Sequence, residues 1–245
     1  IQSIVPQLVP PDKMVRANGW SQFMQSGAFT LGSVIGAAMY AALPLPVILL
    51  TDIIGASAAS LTMAVVTIPE PEHSHQGTPH LIRELKEGLG ICMSDHRLMK
   101  LTAAAAITMV FYLPLASYYP LMSSTYFKAS AWHGSAVEFL YALGMMVSAM
   151  IFGSLGQVDN KLRASCLGLA GSGITCFICG ILPSDMWAWY VFAVTCMFMG
   201  GSGSAYNIPF VAYLQETIPA KAQGRAFSLL GSIMSLAMPV GLLIS

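Results

Sequence analysis

The sequence predicts an all-α membrane protein, an incomplete helical bundle of about seven transmembrane helices. Three observations predict it. First, 56% of the 245 residues are hydrophobic and 9% are charged, with a mean hydropathy of +0.68; soluble domains carry about 25% charged residues. So much apolar surface exceeds what one soluble core can hide. Second, the apolar residues fall in long uninterrupted stretches. Third, the basic residues lie almost entirely in alternate connections between those stretches.

Crossing about 30 Å of hydrocarbon takes about 20 helical residues. Seven stretches qualify, at 18–42, 46–68, 99–122, 134–156, 164–183, 187–212 and 226–245. Each is too long for a strand, and a helix satisfies its own backbone in lipid. Leu43-Pro44-Leu45-Pro46 turns between the first two spans, Gln157 to Arg163 between the fourth and fifth, and Pro183-Ser184-Asp185 between the fifth and sixth. The connection 69–98 is longer and polar. Within it Leu81, Ile82, Leu85 and Leu89 recur at helical spacing behind Pro79, which predicts an amphipathic helix at a membrane surface. The chain therefore divides into 1–68, a linker 69–98, and 99–245. Ile1 and Ser245 fall at or inside apolar segments, so the chain reads as a fragment.

Ten of the 11 Lys and Arg residues lie on one side: Lys13 and Arg16, then Arg83, Lys86, Arg97 and Lys100, then Lys161 and Arg163, then Lys221 and Arg225. Lys128 alone lies on the other. Basic residues mark the cytoplasmic side, so loops 8–17, 69–98, 157–163 and 213–225 are expected there. The chain also repeats itself. Pro10, Arg16, Ala17, Ser26, Ala28 and Gly32 align without gaps with Pro219, Arg225, Ala226, Ser235, Ala237 and Gly241. Parallel repeats of this kind build the two halves of many transporters around a midplane site; convergent wording of a membrane-entry turn is the alternative.

The net charge of +0 gives no global field that would attract nucleic acid. Five cysteines, mostly within apolar runs, argue against a disulfide framework. Cys176 and Cys179 have redox-pair spacing but no second pair nearby, so they read as small packing residues. His73, His75 and His80 lack fixed metal-ligand spacing. No metal or cofactor is expected.

The segment LVPPDKMVRANGWSQ (8–22) resembles the loop between helices four and five of the major facilitator superfamily. YLQETIPAKAQGRAFSLLGSIMSLAMPVGLLI (213–244) resembles the loop between helices ten and eleven, running into helix eleven. The likeness is greatest to the bacterial drug-export branch, and Glu84-Leu-Lys-Glu-Gly88 shares it. The resemblance implies that the spans are helices five to eleven of twelve. It implies a secondary transporter of the bacterial inner membrane that exports small amphipathic molecules by proton antiport and alternating access. A siderophore or other metabolite transporter of the same fold, and a non-transporting scaffold or receptor, are the alternatives. Two family motifs are degenerate. Ser33 stands where a proline is expected among Ala28, Gly32, Gly36 and Ala37. In Gly156-Gln-Val-Asp159-Asn-Lys161-Leu-Arg163 the Asp and the basic residues fit the loop motif.

Carboxylates inside spans are costly and usually face a cavity or partner. Asp52 lies about two turns into the second span and Glu138 about one turn into the fourth. Each reads either as a protonatable or cation-attracting group in the pathway, or as a carboxylate reaching water near the outer interface. His133 reads as a wet loop residue. Pro114 and Pro120 predict a break in helix seven, with Tyr118 and Tyr119 between them lining a cavity or forming an interfacial belt. Asn207 and Gln215 read as polar helix–helix contacts. The family geometry places Asp159 near the start of helix five, by Arg16, as a cytoplasmic gate; Arg163 shares that loop and Arg225 is the repeat-related counterpart of Arg16. Plain anchoring of basic residues is the competing explanation for the arginines. An intramembrane enzyme would need paired catalytic groups, and no such pattern occurs in the sequence.

Overall fold

The computed structural model describes residues 9–65 and 96–244. The expected amphipathic helix behind Pro79, the three linker histidines, Cys92 and the Glu84–Gly88 stretch lie outside the described residues. A 3-10 turn, Pro11–Lys13, leads into seven helices: α1 (Met14–Ala42), α2 (Leu45–Val65), α3 (His96–Leu121), α4 (Ala131–Leu155), α5 (Lys161–Ile181), α6 (Met186–Thr217) and α7 (Ala220–Ile244). No strand occurs among the described residues.

Each predicted span corresponds to one helix, and the ends differ for physical reasons. α1 begins at Met14 rather than 18, because Met14 and Val15 are buried at its foot. α6 runs to Thr217 rather than 212, because Leu214 and Gln215 are buried. Pro46 falls in the first turn of α2, where its missing N–H costs no hydrogen bond. The predicted break in the third span does not occur. α3 stays helical past positions 114 and 120 to Leu121, then widens into a π-turn, Met122–Tyr126. A proline inside a helix removes one ladder bond and can leave the rest intact when neighbouring helices support it.

Three helices are, taken singly, long and apolar enough to cross a membrane: α2 over Leu45–Thr62, α4 over Trp132–Leu155 and α5 over Lys161–Ile181, each with a mean hydropathy of 1.7. α1 and α6 are longer still, at 29 and 32 residues. Their hydropathy is lowered by Asn18, Gln22, Gln25, Ser202, Ser204 and Asn207. The outer faces are oily: Leu167, Ile174, Phe177 and Ile181 run along α5 with 61–74% exposure. A surface of this kind suits lipid.

α6 is the hub, with Phe192, Met199, Ile208 and Leu214 fully buried. It packs against α4 and α5 so closely that backbones nearly touch. A Cβ added at Gly144 would fall 1.8 Å from the Met197 carbonyl oxygen, and one at Gly168 would fall 2.3 Å from the Tyr206 nitrogen. Small residues allow this approach between membrane helices. α1 packs on α4 and α6, and α3 on α7. Cys176 and Cys179 sit in the apolar cluster that Phe192 and Met199 share.

One end of the bundle collects the foot of α1, the α4–α5 loop and the α6–α7 turn. Val158 packs on the cluster of Met14, Val15 and Ala212, Leu101 clusters with Ile218 and Ala226, and Lys161 Nζ pairs with Glu216 at 3.0 Å. Lys13, Arg16, Lys100, Lys161 and Arg163 therefore share this end. Lys128 is at the other, in the segment where Tyr126 Oη donates to the Leu182 carbonyl at 3.0 Å. Among the described residues the basic residues segregate as the positive-inside pattern requires.

Candidate functional site

Polar residues within the spans converge on one cavity of about 270 Å³. α1 contributes Gln22 and Gln25, α3 Thr108 and Tyr112, α4 Tyr141 and Met145, α5 Ser172, and α6 Ser204, Tyr206 and Asn207. The Tyr112 and Tyr141 hydroxyls hydrogen-bond each other. The rings of Tyr206 and Phe210 stack at 5.2 Å. Ser204 and Tyr206 are each 3% exposed, yet neither Ser204 Oγ nor the Tyr206 hydroxyl has a hydrogen-bond partner among the described residues. A buried, unsatisfied hydroxyl costs about 1–3 kcal/mol, so these two hydroxyls mark this wall as a polar one that the described residues alone do not satisfy. Among the described residues no charged side chain lines this cavity.

A second cleft, of about 410 Å³, lies further along the same seam. Phe29, Thr30 and Val34 of α1 face Ser135, Glu138, Phe139 and Ala142 of α4. Gln22, Gln25 and Phe29 are spaced i, i+3, i+7, as are Glu138, Tyr141 and Met145, so each set forms one stripe on its helix. Each stripe borders both spaces, Phe29 and Glu138 at the cleft and Gln22, Gln25, Tyr141 and Met145 at the central cavity. Glu138 is half-buried, and among the described residues it is the one carboxylate lining either space.

The seam is shut at the basic end. A Cβ on Gly19 would sit 2.5 Å from the Gly153 nitrogen. Asn18 Nδ2 donates to Gln215 Oε1 at 2.7 Å, joining α1 to α6. Gln223 Nε2 holds the turn beneath by donating to the Gln215 and Ile218 carbonyls at 2.8 and 2.9 Å. Further along, a Cβ on Gly27 would meet only Met146 Cε at 3.9 Å, and one on Gly32 or Gly36 nothing within 4 Å. The close approach of α1 is thus at Gly19, not within the Ala28–Ala37 stretch that resembles the family motif.

Asn207, Glu138 and Gln215 take part in these features. Asp52 is exposed on α2 and lines neither space, and Tyr118 is exposed and likewise lines neither. The side chains of Tyr119 and Arg225 are outside the described residues. Val158 brings the α4–α5 loop to the foot of α1, but Arg16 and Asp159 are both exposed and no ion pair joins them among the described residues. Asp159 caps no helix either. Its neighbour Asn160 is the cap of α5, its side chain accepting from the Arg163 N–H at 2.9 Å. The expectation for His133 is corrected: it is 9% exposed, bonded to Ser130 Oγ at 2.8 Å and wedged between Trp132 and Trp189, at 4.3 and 4.5 Å. Its place in the first turn of α4 puts it against the start of α6 rather than in water.

Sequence reasoning missed Asn18, Gln22 and Gln25, whose near-helical spacing in an apolar span was the available signal. It also missed Tyr112, Tyr141, Ser204 and Tyr206, which read as ordinary span residues.

The chain is 33% identical over 246 residues to Macrolide efflux protein A of Streptococcus pyogenes, covering all of this chain and 60% of that protein. It is 32% identical over 243 residues to Macrolide efflux protein A of Enterococcus faecalis, covering 99% of this chain and 75% of that protein. A third relative, the uncharacterized MFS-type transporter YceJ of Bacillus subtilis, is 31% identical over 119 residues, 46% of this chain and 28% of that protein. The chain thus spans about three-fifths of the length of the streptococcal relative. No solved structure matches it. The family model of the Major Facilitator Superfamily matches residues 1–242, and with that match across a chain whose described residues form a helical bundle, the chain belongs to the Major Facilitator Superfamily.

Proposed function

We propose that this chain forms the larger part of a secondary transporter that exports small amphipathic molecules by alternating access, with proton exchange as the driving reaction. The observation that carries the reading is the seam between α1 and α4. It carries the Glu138 cleft beside a polar, aromatic-walled cavity and is closely packed by Gly19–Gly153 and Asn18–Gln215 at the basic end. With that end taken as cytoplasmic, this arrangement supports an outward-open reading in an inner membrane. Alternating access needs contacts made in one state and broken in the other, and the Asn18–Gln215 bond has that character. On this reading residues 1–68 end the first half of the transporter, 69–98 link, and 99–245 belong to the second.

The cavity suits a solute rich in hydrogen-bond groups with apolar faces to lie against Tyr112, Tyr141 and Tyr206. The relatives named as macrolide efflux proteins support a drug-like substrate of that kind. On this reading Glu138 exchanges a proton with the outer side. Arg16, Asp159, Arg163 and Arg225 belong to the moving cytoplasmic ends, and Asp52 and Tyr118 to surfaces that the helices completing the transporter would cover.

The test is accumulation of a labelled macrolide by cells expressing the longest reading frame that contains these residues. Gln25→Ala and Asn207→Ala raise accumulation toward the vector control, and Glu138→Gln flattens the dependence of efflux on external pH. Normal efflux in both cavity variants at normal expression would rule the cavity out as the substrate site. An unchanged pH profile in Glu138→Gln would remove it from proton coupling.

A further inference from the structure

The cytoplasmic ends of α3 and α5 enclose a further space, which shares only Leu169 with the central cavity. It is a groove of about 520 Å³, floored by Leu101 and walled by Ala104, Leu162, Cys166, Leu169 and Ala170, with Lys100 at its end. Leu101 is 5% exposed, whereas Cys166 and Ala170 are exposed, so the groove opens away from the protein, toward lipid. Its lining is apolar except at one point, and that point is a cation at the membrane face. Leu162 is followed in α5 by Arg163, which is exposed like Lys100. Neither Lys100 nor Arg163 makes an ion pair among the described residues, whereas Lys161 is already held by Glu216 at 3.0 Å.

The geometry points to a binding site for one anionic phospholipid of the cytoplasmic leaflet. The acyl chain lies in the groove between α3 and α5, and the phosphate meets Lys100 and Arg163. Charge complementarity selects this occupant. An apolar helix of the protein would fill the groove but offer no anion to Lys100 at its end or to Arg163 beside Leu162. A zwitterionic lipid would fill it while offering a second positive group to those cations. Basic pockets between transmembrane helices on the cytoplasmic side are suited to anionic head groups. Each basic residue near such a surface contributes about 1 kcal/mol, roughly a fivefold preference, so two give on the order of twentyfold.

Native mass spectrometry of the delipidated protein, in the longest reading frame containing these residues, tests the site by adding back phosphatidylglycerol or phosphatidylcholine. The first phosphatidylglycerol should bind about twentyfold more tightly than phosphatidylcholine. Lys100→Gln should cut the preference to about fivefold, and Lys100→Gln with Arg163→Gln should abolish it. Ala170→Trp, at an exposed position on the groove wall, should weaken binding of both lipids, and glycerol phosphate at equal concentration should not compete. Equal binding of the two lipids to the parent protein overturns the proposal. So does a preference that survives the double substitution, displacement by glycerol phosphate, which would mean a free-phosphate site, or insensitivity to Ala170→Trp, which would mean a lipid bound elsewhere or a groove already filled by protein.

Discussion

Gly19→Ala tests the closed end of the seam directly. The new Cβ would lie 2.5 Å from the Gly153 nitrogen, 2.8 Å from its Cα and 3.0 Å from the Phe152 carbonyl carbon. Ordinary contact begins at 3.4 Å, so α1 and α4 must part by about 0.9 Å, the difference between 3.4 and 2.5 Å. The obstacle is backbone, which cannot swing aside as a side chain can. Overpacking of this kind costs about 1–3 kcal/mol, and the cost falls on the state in which these helices touch. The helix-propensity gain of alanine over glycine, about 1 kcal/mol, is common to both states and cancels. The equilibrium should move toward cytoplasmic opening by about 5–150-fold. The assay is alkylation of a single cysteine at Gln22, which lines the central cavity, in a background without native cysteines. A membrane-impermeant maleimide is applied from the cytoplasmic side in inside-out vesicles. The rate should rise in Gly19→Ala. It should not rise in Gly32→Ala, where a Cβ meets nothing within 4 Å, nor in Gly27→Ala, where it meets only Met146 Cε at 3.9 Å. An unchanged rate in Gly19→Ala, or an equal rise in Gly32→Ala, would refute the claim that the Gly19–Gly153 contact closes this end.

Tyr206→Phe removes a hydroxyl with no protein partner among the described residues, so thermal stability of the purified protein should hold or rise. Equilibrium substrate affinity should fall about tenfold, the equivalent of one hydrogen bond; a drop in stability with unchanged affinity would contradict its place in the site. Gly168→Ala, whose Cβ would sit 2.3 Å from the Tyr206 nitrogen, should lower stability by about 1–3 kcal/mol, measured by thermal unfolding in detergent. Gly173→Ala, which meets nothing within 4 Å, should not. Glu216→Gln breaks the pair with Lys161, whose side chains are 21% and 24% exposed, and a pair so open to solvent contributes about 0.2–1 kcal/mol. Its effect on the Gln22 alkylation rate should stay below about fivefold.

The sequence by itself determined the apolar spans, the seven helices among the described residues and the end of the bundle at which most of their basic residues lie. These follow from solvent: an apolar stretch of about 20 residues has one good way to satisfy its backbone in lipid, and each arginine or lysine resists crossing whatever its neighbours are. Tertiary structure decided the rest. Gln22, Gln25, Tyr112, Tyr141 and Tyr206 are far apart in the chain and unremarkable singly; they become one cavity wall only when α1, α3, α4 and α6 meet. Whether a glycine is spacing or contact could not be read either, since Gly19 and Gly32 share a helix and only Gly19 meets the backbone of α4. His133, which the polar sequence around it placed in water, is buried because Trp189 from α6 closes over it. Asp159 stood out as a charged gate, and the side-chain hydrogen bond that the tertiary structure adds between α1 and α6 is the neutral pair Asn18 and Gln215. In a low-dielectric span a neutral amide pair has a small desolvation cost and an ion pair a large one, and the pairing itself depends on a crossing of helices that local sequence does not encode.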